Sequence, residues 1–159
     1  MTLVLGIDPG TATTGFGLVR ELSDGSLQSV EYGTITTSKD TLAHHRLAQL
    51  YHELQKIILL HHPESVAVEK LFFQRNVSTA IAVGQARGVV MLAIAEAQLD
   101  VAEYTPNEVK QAVVGYGSAD KKQVQEMVRV LLSLPSIPKP DDAADALAIA
   151  ITHIHTRRY

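Results

Sequence analysis

TLVLGIDPGTATTGFGLVRE, residues 2–21, is the stretch that decides the fold. Its first seven residues are apolar on both faces and are stopped by Pro9-Gly10, as in a strand buried inside a sheet. Residues 10–15 form a turn rich in glycine and threonine, and Phe16 to Glu21 resumes as a strand, so the two strands make a hairpin. Along the first strand Leu3, Leu5 and Ile7 share one face, which leaves Asp8 on the other. A carboxylate therefore stands at the carboxyl end of a buried strand, turned away from the aliphatic row.

The remaining elements follow from periodicity and punctuation. Asp24-Gly25 marks a second turn, with a third strand near Ser29 to Thr36. From about Thr41 to His62, Leu42, Leu47, Leu50, Leu54, Ile57 and Ile58 recur at helical spacing. Ser65 to Glu69 is a short apolar strand. Val77 to Gln98 is a long alanine-rich helix capped near Asn76, and Val101 to Tyr104 is a strand. Thr105-Pro106-Asn107-Glu108 has the form of a capping box with proline at the first helical position. Gly115-Tyr116-Gly117 ends that helix, and Ser118 can cap the next, from about Asp120 to Leu132. A linker from Pro135 to Pro140 leads to a last helix, Asp141 to about Thr156. The order β-β-β-α-β-α-β-α-α-α predicts an α/β fold: a five-stranded mixed β-sheet flanked by helices on both faces, with the first strand central and beside the fourth.

At 159 residues, 46% hydrophobic and 19% charged, the chain fits a single globular domain spanning 1–159. No stretch approaches ~18 uninterrupted apolar residues, so no membrane partner is expected. The first residues lack the basic region of a signal peptide. The absence of cysteine removes disulfides and thiolate metal ligands and fits a reducing cytoplasm. A net charge of −3 speaks against a nucleic-acid partner. Two divalent cations held by four of the acids would carry that charge to about +1. Lys70, Arg75, Arg87, Lys110, Lys121, Lys122 and Arg129 would then supply a local positive track, interspersed with Glu96, Asp100, Glu103, Glu108 and Asp120.

Four acids are the candidates for chemistry. Asp8 ends the first strand and Glu69 the fourth. If those strands are parallel neighbours, ~4.8 Å apart, the two carboxylates emerge side by side at the carboxyl edge of the sheet, where they repel unless something positive lies between them. Asp142 and Asp145, at i and i+3, project from one face of the last helix, in turns where the helix dipole favours anions. Asp141 points ~100° away from Asp142 and suits a cap. Each acid alone has an ordinary explanation, as a strand-end group facing solvent or an acid in a first helical turn. Both pairs in one small α/β chain point instead to a centre for Mg²⁺ or Mn²⁺, which prefer hard oxygen ligands. The turn after Asp8, with Gly10, Thr11 and Thr13, lets backbone N–H groups and hydroxyls approach a phosphate.

Five segments, in this order, resemble the RuvC family of Holliday junction resolvases within the ribonuclease H-like superfamily: GIDPGTATTGFG at 6–17, VEKLFF at 68–73, GQARGV at 84–89, YTPNEVKQAVVGYGSADK at 104–121 and DDAADALAIAITH at 141–153. The resemblance covers essentially the whole chain and implies a ribonuclease H-like fold in a bacterial cytoplasmic enzyme. It implies that Asp8, Glu69, Asp142 and Asp145 bind the metal, two Mg²⁺ or Mn²⁺ per site, and that a homodimer sets two sites on opposite strands of a four-way junction DNA. Lys110 and Lys121 match basic residues near the scissile phosphate, and Lys121 is counted among the catalytic groups. Phe72 matches an aromatic that engages unpaired bases, with Phe73 beside it as an alternative. Arg75, Arg87 and Lys122 complete the expected DNA contacts. Coupling to the RuvA–RuvB branch-migration complex is implied by the family and carried by no residue of this sequence.

Ala80, Gly84 and Gly88, at i, i+4 and i+8, let another helix approach closely, which suits a dimer contact or packing on the sheet. The histidines are set apart from the site: His44, His45, His52, His61 and His62 are expected in solvent, and His153 and His155 lie beyond the aspartates. Three other readings compete. An actin-like ATPase or sugar kinase also opens with a strand and a phosphate-binding turn, but requires a second related half, of which no copy is present. A junction-binding protein that does not cut is disfavoured by four acids near phosphates. A related nuclease acting on RNA is separated only by the resemblance.

Overall fold

The computed structural model describes residues 2–10, 12–70 and 76–157. Its elements are β1 (Thr2–Asp8), β2 (Thr13–Glu21), β3 (Leu27–Thr36), α1 (Ala43–His61), β4 (Ser65–Glu69), α2 (Val77–Glu96), β5 (Asp100–Tyr104), α3 (Pro106–Val113), α4 (Lys121–Leu131) and α5 (Asp141–Thr156). The sheet runs in the order β3-β2-β1-β4-β5. β1 pairs antiparallel with β2 and parallel with β4, β2 pairs antiparallel with β3, and β4 pairs parallel with β5. The mixed sheet and the central place of β1 beside β4 are as expected from the sequence.

Alternation along β1 divides the core in two. Leu3, Leu5 and Ile7, with Val66 and Val68 of β4, pack under α1 and α2. Val4 and Ala67 point the other way, into a second core with α3, α4 and α5. The same period of two puts Asp8 and Glu69 on the α5 side, so both acids are delivered to the face on which the last helix lies.

Two glycines let that helix come unusually close. A Cβ on Gly15 would stand 2.0 Å from the carbonyl oxygen of Asp142, and one on Gly6 would stand 2.1 Å from that of Ala146. Gly15 is thus a strand residue, paired with Asp8 and Thr34, rather than part of the turn. The strand starts at Thr13 because Thr13 and Thr14 pair with Thr36 and Ile35, positions that suit β-branched side chains.

Helix caps account for two further corrections. Asp120, not Ser118, caps α4: its carboxylate accepts from the Gln123 N–H at 2.8 Å, and the Gln123 side chain accepts from the Asp120 N–H at 2.8 Å. Asp141 is not a cap, because Pro140 precedes α5 without a side-chain cap bond and the Asp141 carboxylate is engaged elsewhere. The expected box at α3 is present, with Thr105 accepting from the Glu108 N–H at 3.1 Å. By length and composition α2 is apolar enough to cross a membrane. In this fold it buries Ala86, Val90, Ala93 and Ile94 against the first core.

Candidate metal centre

Asp8 reaches the centre from the end of β1, Glu69 from the end of β4, and Asp142 and Asp145 from the first turns of α5. One carboxylate oxygen each from Asp8, Asp142 and Asp145 lie within 4.8 Å of one another. Glu69 meets Asp8 carboxyl to carboxyl, a contact that requires a proton or a cation between the two groups. Glu69 and Asp145 also line a cavity of about 210 Å³ with Lys110 and Lys121.

The electrostatics are those of a site built for positive charge. Burial first, then the contact with Glu69, then the charges of Glu69, Asp145 and Asp142, push the Asp8 carboxyl far above the ordinary carboxylate range. Burial pushes Asp145 up to about 6, against the pull of the Lys121 ammonium and with the repulsion of Glu69, Asp142 and Asp141. Clustered carboxylates that hold protons near neutrality are the donor set that a hard dication displaces protons from. Their oxygen-only chemistry fits Mg²⁺ or Mn²⁺ and offers nothing to a soft metal.

Lys121, the first residue of α4, is paired with Asp141 at 3.0 Å. Asp141 in turn accepts from the Gln125 side chain at 3.1 Å and lies 3.7 Å from Lys139. The hydrogen bond to Asp141 raises the Lys121 pKa, and the same bond lowers that of Asp141. Asp141, set aside as a cap in the sequence, therefore holds a lysine at the edge of the acidic centre. No spacing rule links residues 121 and 141, so the sequence carried no signal for this pair.

The other expected contact residues separate. Lys110 is half-buried on the cavity wall, whereas Lys122 is exposed beside Tyr116 and Glu126 on the outer side of α4. Gly10 closes a tight turn, its Cβ position lying 2.1 Å from the Thr13 carbonyl oxygen, and Thr13 is half-buried at the start of β2. Arg87 is turned inward: Nη1 donates to the Glu69 carbonyl oxygen at 2.5 Å and Nη2 pairs with Glu103 at 2.6 Å. Its side chain is only 14% exposed in these contacts. Thr11, Phe72, Phe73 and Arg75 lie outside the described residues.

The histidines stay clear of the acids. His61, expected in solvent, pairs with Glu31 and is only 16% exposed. His153 lies between the Tyr104 hydroxyl at 2.8 Å and the Ser65 hydroxyl at 3.1 Å.

A mixed sheet of this order, with acids from its two central parallel strands and from a helix laid across them, defines a ribonuclease H-like domain with an acidic centre. Residues 4–153 match the family described as crossover junction endodeoxyribonuclease RuvC, and the chain belongs to that family, whose members are metal-dependent. The RuvC of Syntrophomonas wolfei is 55% identical over 98% of this chain and 90% of its own length. That of Desulfitobacterium hafniense is 58% identical over 97% and 93%. Among solved structures, Thermus thermophilus RuvC in complex with a Holliday junction substrate superposes with a TM-score of 0.91 at 36% identity, covering 99% of this chain and 96% of that one. The yeast mitochondrial Holliday junction resolvase Ydc2 shares the fold, with a TM-score of 0.70 at 16% identity over 97% and 79%.

Proposed function

We propose that this chain is a structure-selective endonuclease that resolves four-way DNA junctions by paired symmetric nicks, in recombination and repair. The observation that carries this reading is the convergence of Asp8, Asp142 and Asp145 within 4.8 Å, with Glu69 against Asp8 and two lysines on the adjoining wall. Curated relatives that are more than half identical carry the name crossover junction endodeoxyribonuclease.

Asp8, Glu69, Asp142 and Asp145 would hold two divalent cations, Mg²⁺ or Mn²⁺. Bound there, the pair supplies Lewis-acid charge stabilisation and lowers the pKa of a water molecule. Lys110 and Lys121 present ammonium groups to the non-bridging oxygens of the scissile phosphate, where negative charge grows in the transition state. Water adds to phosphorus as the bond to the 3′ oxygen breaks. The water's proton passes to solvent, solvent protonates the departing 3′ oxygen, and the products are a 5′-phosphate and a 3′-hydroxyl. Gly10 of the turn after β1 and Thr13 at the start of β2, with Thr11 between them in the sequence, would contact the phosphate backbone. Phe72 or Phe73, in the segment directly after the catalytic end of β4, stacks on an unpaired base, a contact worth ~1–3 kcal/mol.

A junction has two equivalent strands, so two sites related by a twofold axis are required. The face of α2 that looks away from the core supplies the contact. Gly84 and Gly88 have nothing within 4 Å of their Cβ positions, and Val77, Ile81 and Leu92 are 70%, 57% and 52% exposed on the same helix. An apolar stripe with glycines at its centre suits close approach of a second copy. Cleavage of DNA in recombination places the enzyme's work in the bacterial cytoplasm, alongside the RuvA–RuvB branch-migration complex of its family.

The test is a synthetic four-way junction offered with Mg²⁺ and excess linear duplex. The wild-type protein should leave symmetric nicks in the junction and spare the duplex, while Asp8→Asn should bind the junction and leave it whole. Junction binding without nicks in either Mg²⁺ or Mn²⁺, or equal nicking of duplex, would overturn the reading.

A further inference from the structure

Arg87 lies in the middle of α2, and its side chain is only 14% exposed. Its two outer nitrogens make two different contacts, Nη1 to the main-chain oxygen of Glu69 at 2.5 Å and Nη2 to the Glu103 carboxylate at 2.6 Å. One guanidinium thus spans three elements: α2, the last residue of β4, and β5. The planar fork of arginine meets two acceptors at once, which a single ammonium does not reproduce.

The place of this clasp matters more than its strength. Parallel pairing of β4 with β1 ends at Val68, opposite Ile7, one residue before Glu69. Beyond that point the β4 main chain stays paired with β5, Glu69 opposite Tyr104 and the Lys70 N–H donating to the Tyr104 oxygen at 2.8 Å, and Arg87 takes the Glu69 carbonyl oxygen. The Glu69 side chain reaches across to Asp8 from the residue just beyond the last β1–β4 pair. The ordinary explanation of Arg87, a surface cation for DNA, does not account for its inward aim or for the carbonyl it binds.

We propose that Arg87 is a positioning residue for the metal centre: it fixes the end of β4 so that the Glu69 carboxylate is delivered to Asp8, and Glu103 holds Arg87 in that task. Because Arg87 stands between Gly84 and Gly88 along α2, the clasp also ties the helix read above as the dimer contact to the catalytic edge. The inference rests on the proposed function and can fail separately from it. Groups that orient a metal ligand typically influence affinity or activity by ~10–100-fold when removed.

The measurement is Mn²⁺ binding to the DNA-free protein, by titration calorimetry and by the thermal shift that Mn²⁺ induces, for wild type, Arg87→Gln, Arg87→Lys and Glu103→Ala. Junction affinity is measured for each in EDTA. Arg87→Gln should weaken Mn²⁺ binding by ~10-fold or more and raise the Mn²⁺ needed for half-maximal cleavage in the same proportion, with junction affinity in EDTA within about twofold of wild type. Arg87→Lys should recover little, because it cannot make both contacts. Glu103→Ala, a change on the exposed side of an edge strand, should shift Mn²⁺ binding in the same direction by about threefold, and it decides the matter if Arg87→Gln does not fold. Wild-type Mn²⁺ binding in both Arg87→Gln and Glu103→Ala, or a loss confined to junction affinity, would overturn the inference and make Arg87 a structural or DNA-contacting residue. A wild-type protein that cuts no junction would reject the proposed function itself.

Discussion

Burial pushes the Asp145 carboxyl up to about 6 while the Lys121 ammonium beside it pulls the other way, and Asp8, deeper in the cluster, is raised further. A carboxyl raised on folding binds more protons in the folded chain than in the unfolded one, so its contribution to stability is complete below its unfolded pKa and is lost as pH rises through the folded value. In EDTA the melting temperature should therefore fall between pH 5 and pH 7.5, and Mn²⁺ should restore it more strongly at the higher pH. His153, whose pKa is lowered chiefly by burial, acts in the opposite direction, so the comparison is with Asp145→Asn. That variant should lose part of the fall. A wild-type melting temperature that rises across the same window in EDTA, with Asp145→Asn rising in parallel, would contradict this electrostatic account. At this scale the four acids were legible because each ends a strand or starts a helix that its neighbours define. The partners of Arg87, Asp141 and His61 were not, because they are brought together from elements far apart in the sequence.

Helix α5 carries two of the four acids, and glycines let its first turns seat closely on the sheet while its aliphatic side chains fill the second core. Gly15 receives the carbonyl of Asp142, and Gly6 that of Ala146, so the first turn of the helix lies directly over the β1–β2 pair. Any Cβ at position 15 meets backbone, which cannot rotate away, and overpacking of this kind costs about 1–3 kcal/mol or more. Gly15→Ala should lower the melting temperature by roughly 2–12 °C, taking ~2–4 °C per kcal/mol for a chain of this size. It should also reduce the thermal shift induced by Mn²⁺, since Asp142 moves with the displaced turn. A variant that melts and responds to Mn²⁺ as wild type does would remove the glycine seat from the account. Sequence periodicity found the helices and strands of the described residues, but it assigned Gly15 to a turn. A glycine needed for close packing and one needed for a bend look alike until the partner helix is placed.

At the scale of the whole molecule, the two cores on either side of the sheet separate two tasks. The α3–α5 side holds the acids, Lys110 and Lys121. The α1–α2 side presents the apolar stripe through Ile81, Gly84 and Gly88 that would receive a second copy. The sheet order and the layers were readable from the sequence because β1 and β4 are apolar on both faces and so belong inside the sheet with helices on either side. The dimer contact was only half readable: small residues at i, i+4 and i+8 fit either a partner helix or the sheet, and the open space above both glycines favours the partner. A supercoiled plasmid carrying an extruded cruciform tests the central claim most directly, because it becomes linear only if two opposed nicks fall within the lifetime of one complex. With Mg²⁺, the wild-type chain should convert it to linear product. Ile81→Glu, which places a charge on the exposed stripe without touching the acids, should be monomeric and leave mainly nicked circles. Linear product from a monomeric Ile81→Glu at the wild-type rate, or no cutting by the wild-type protein, would contradict the account of two acidic centres joined through α2.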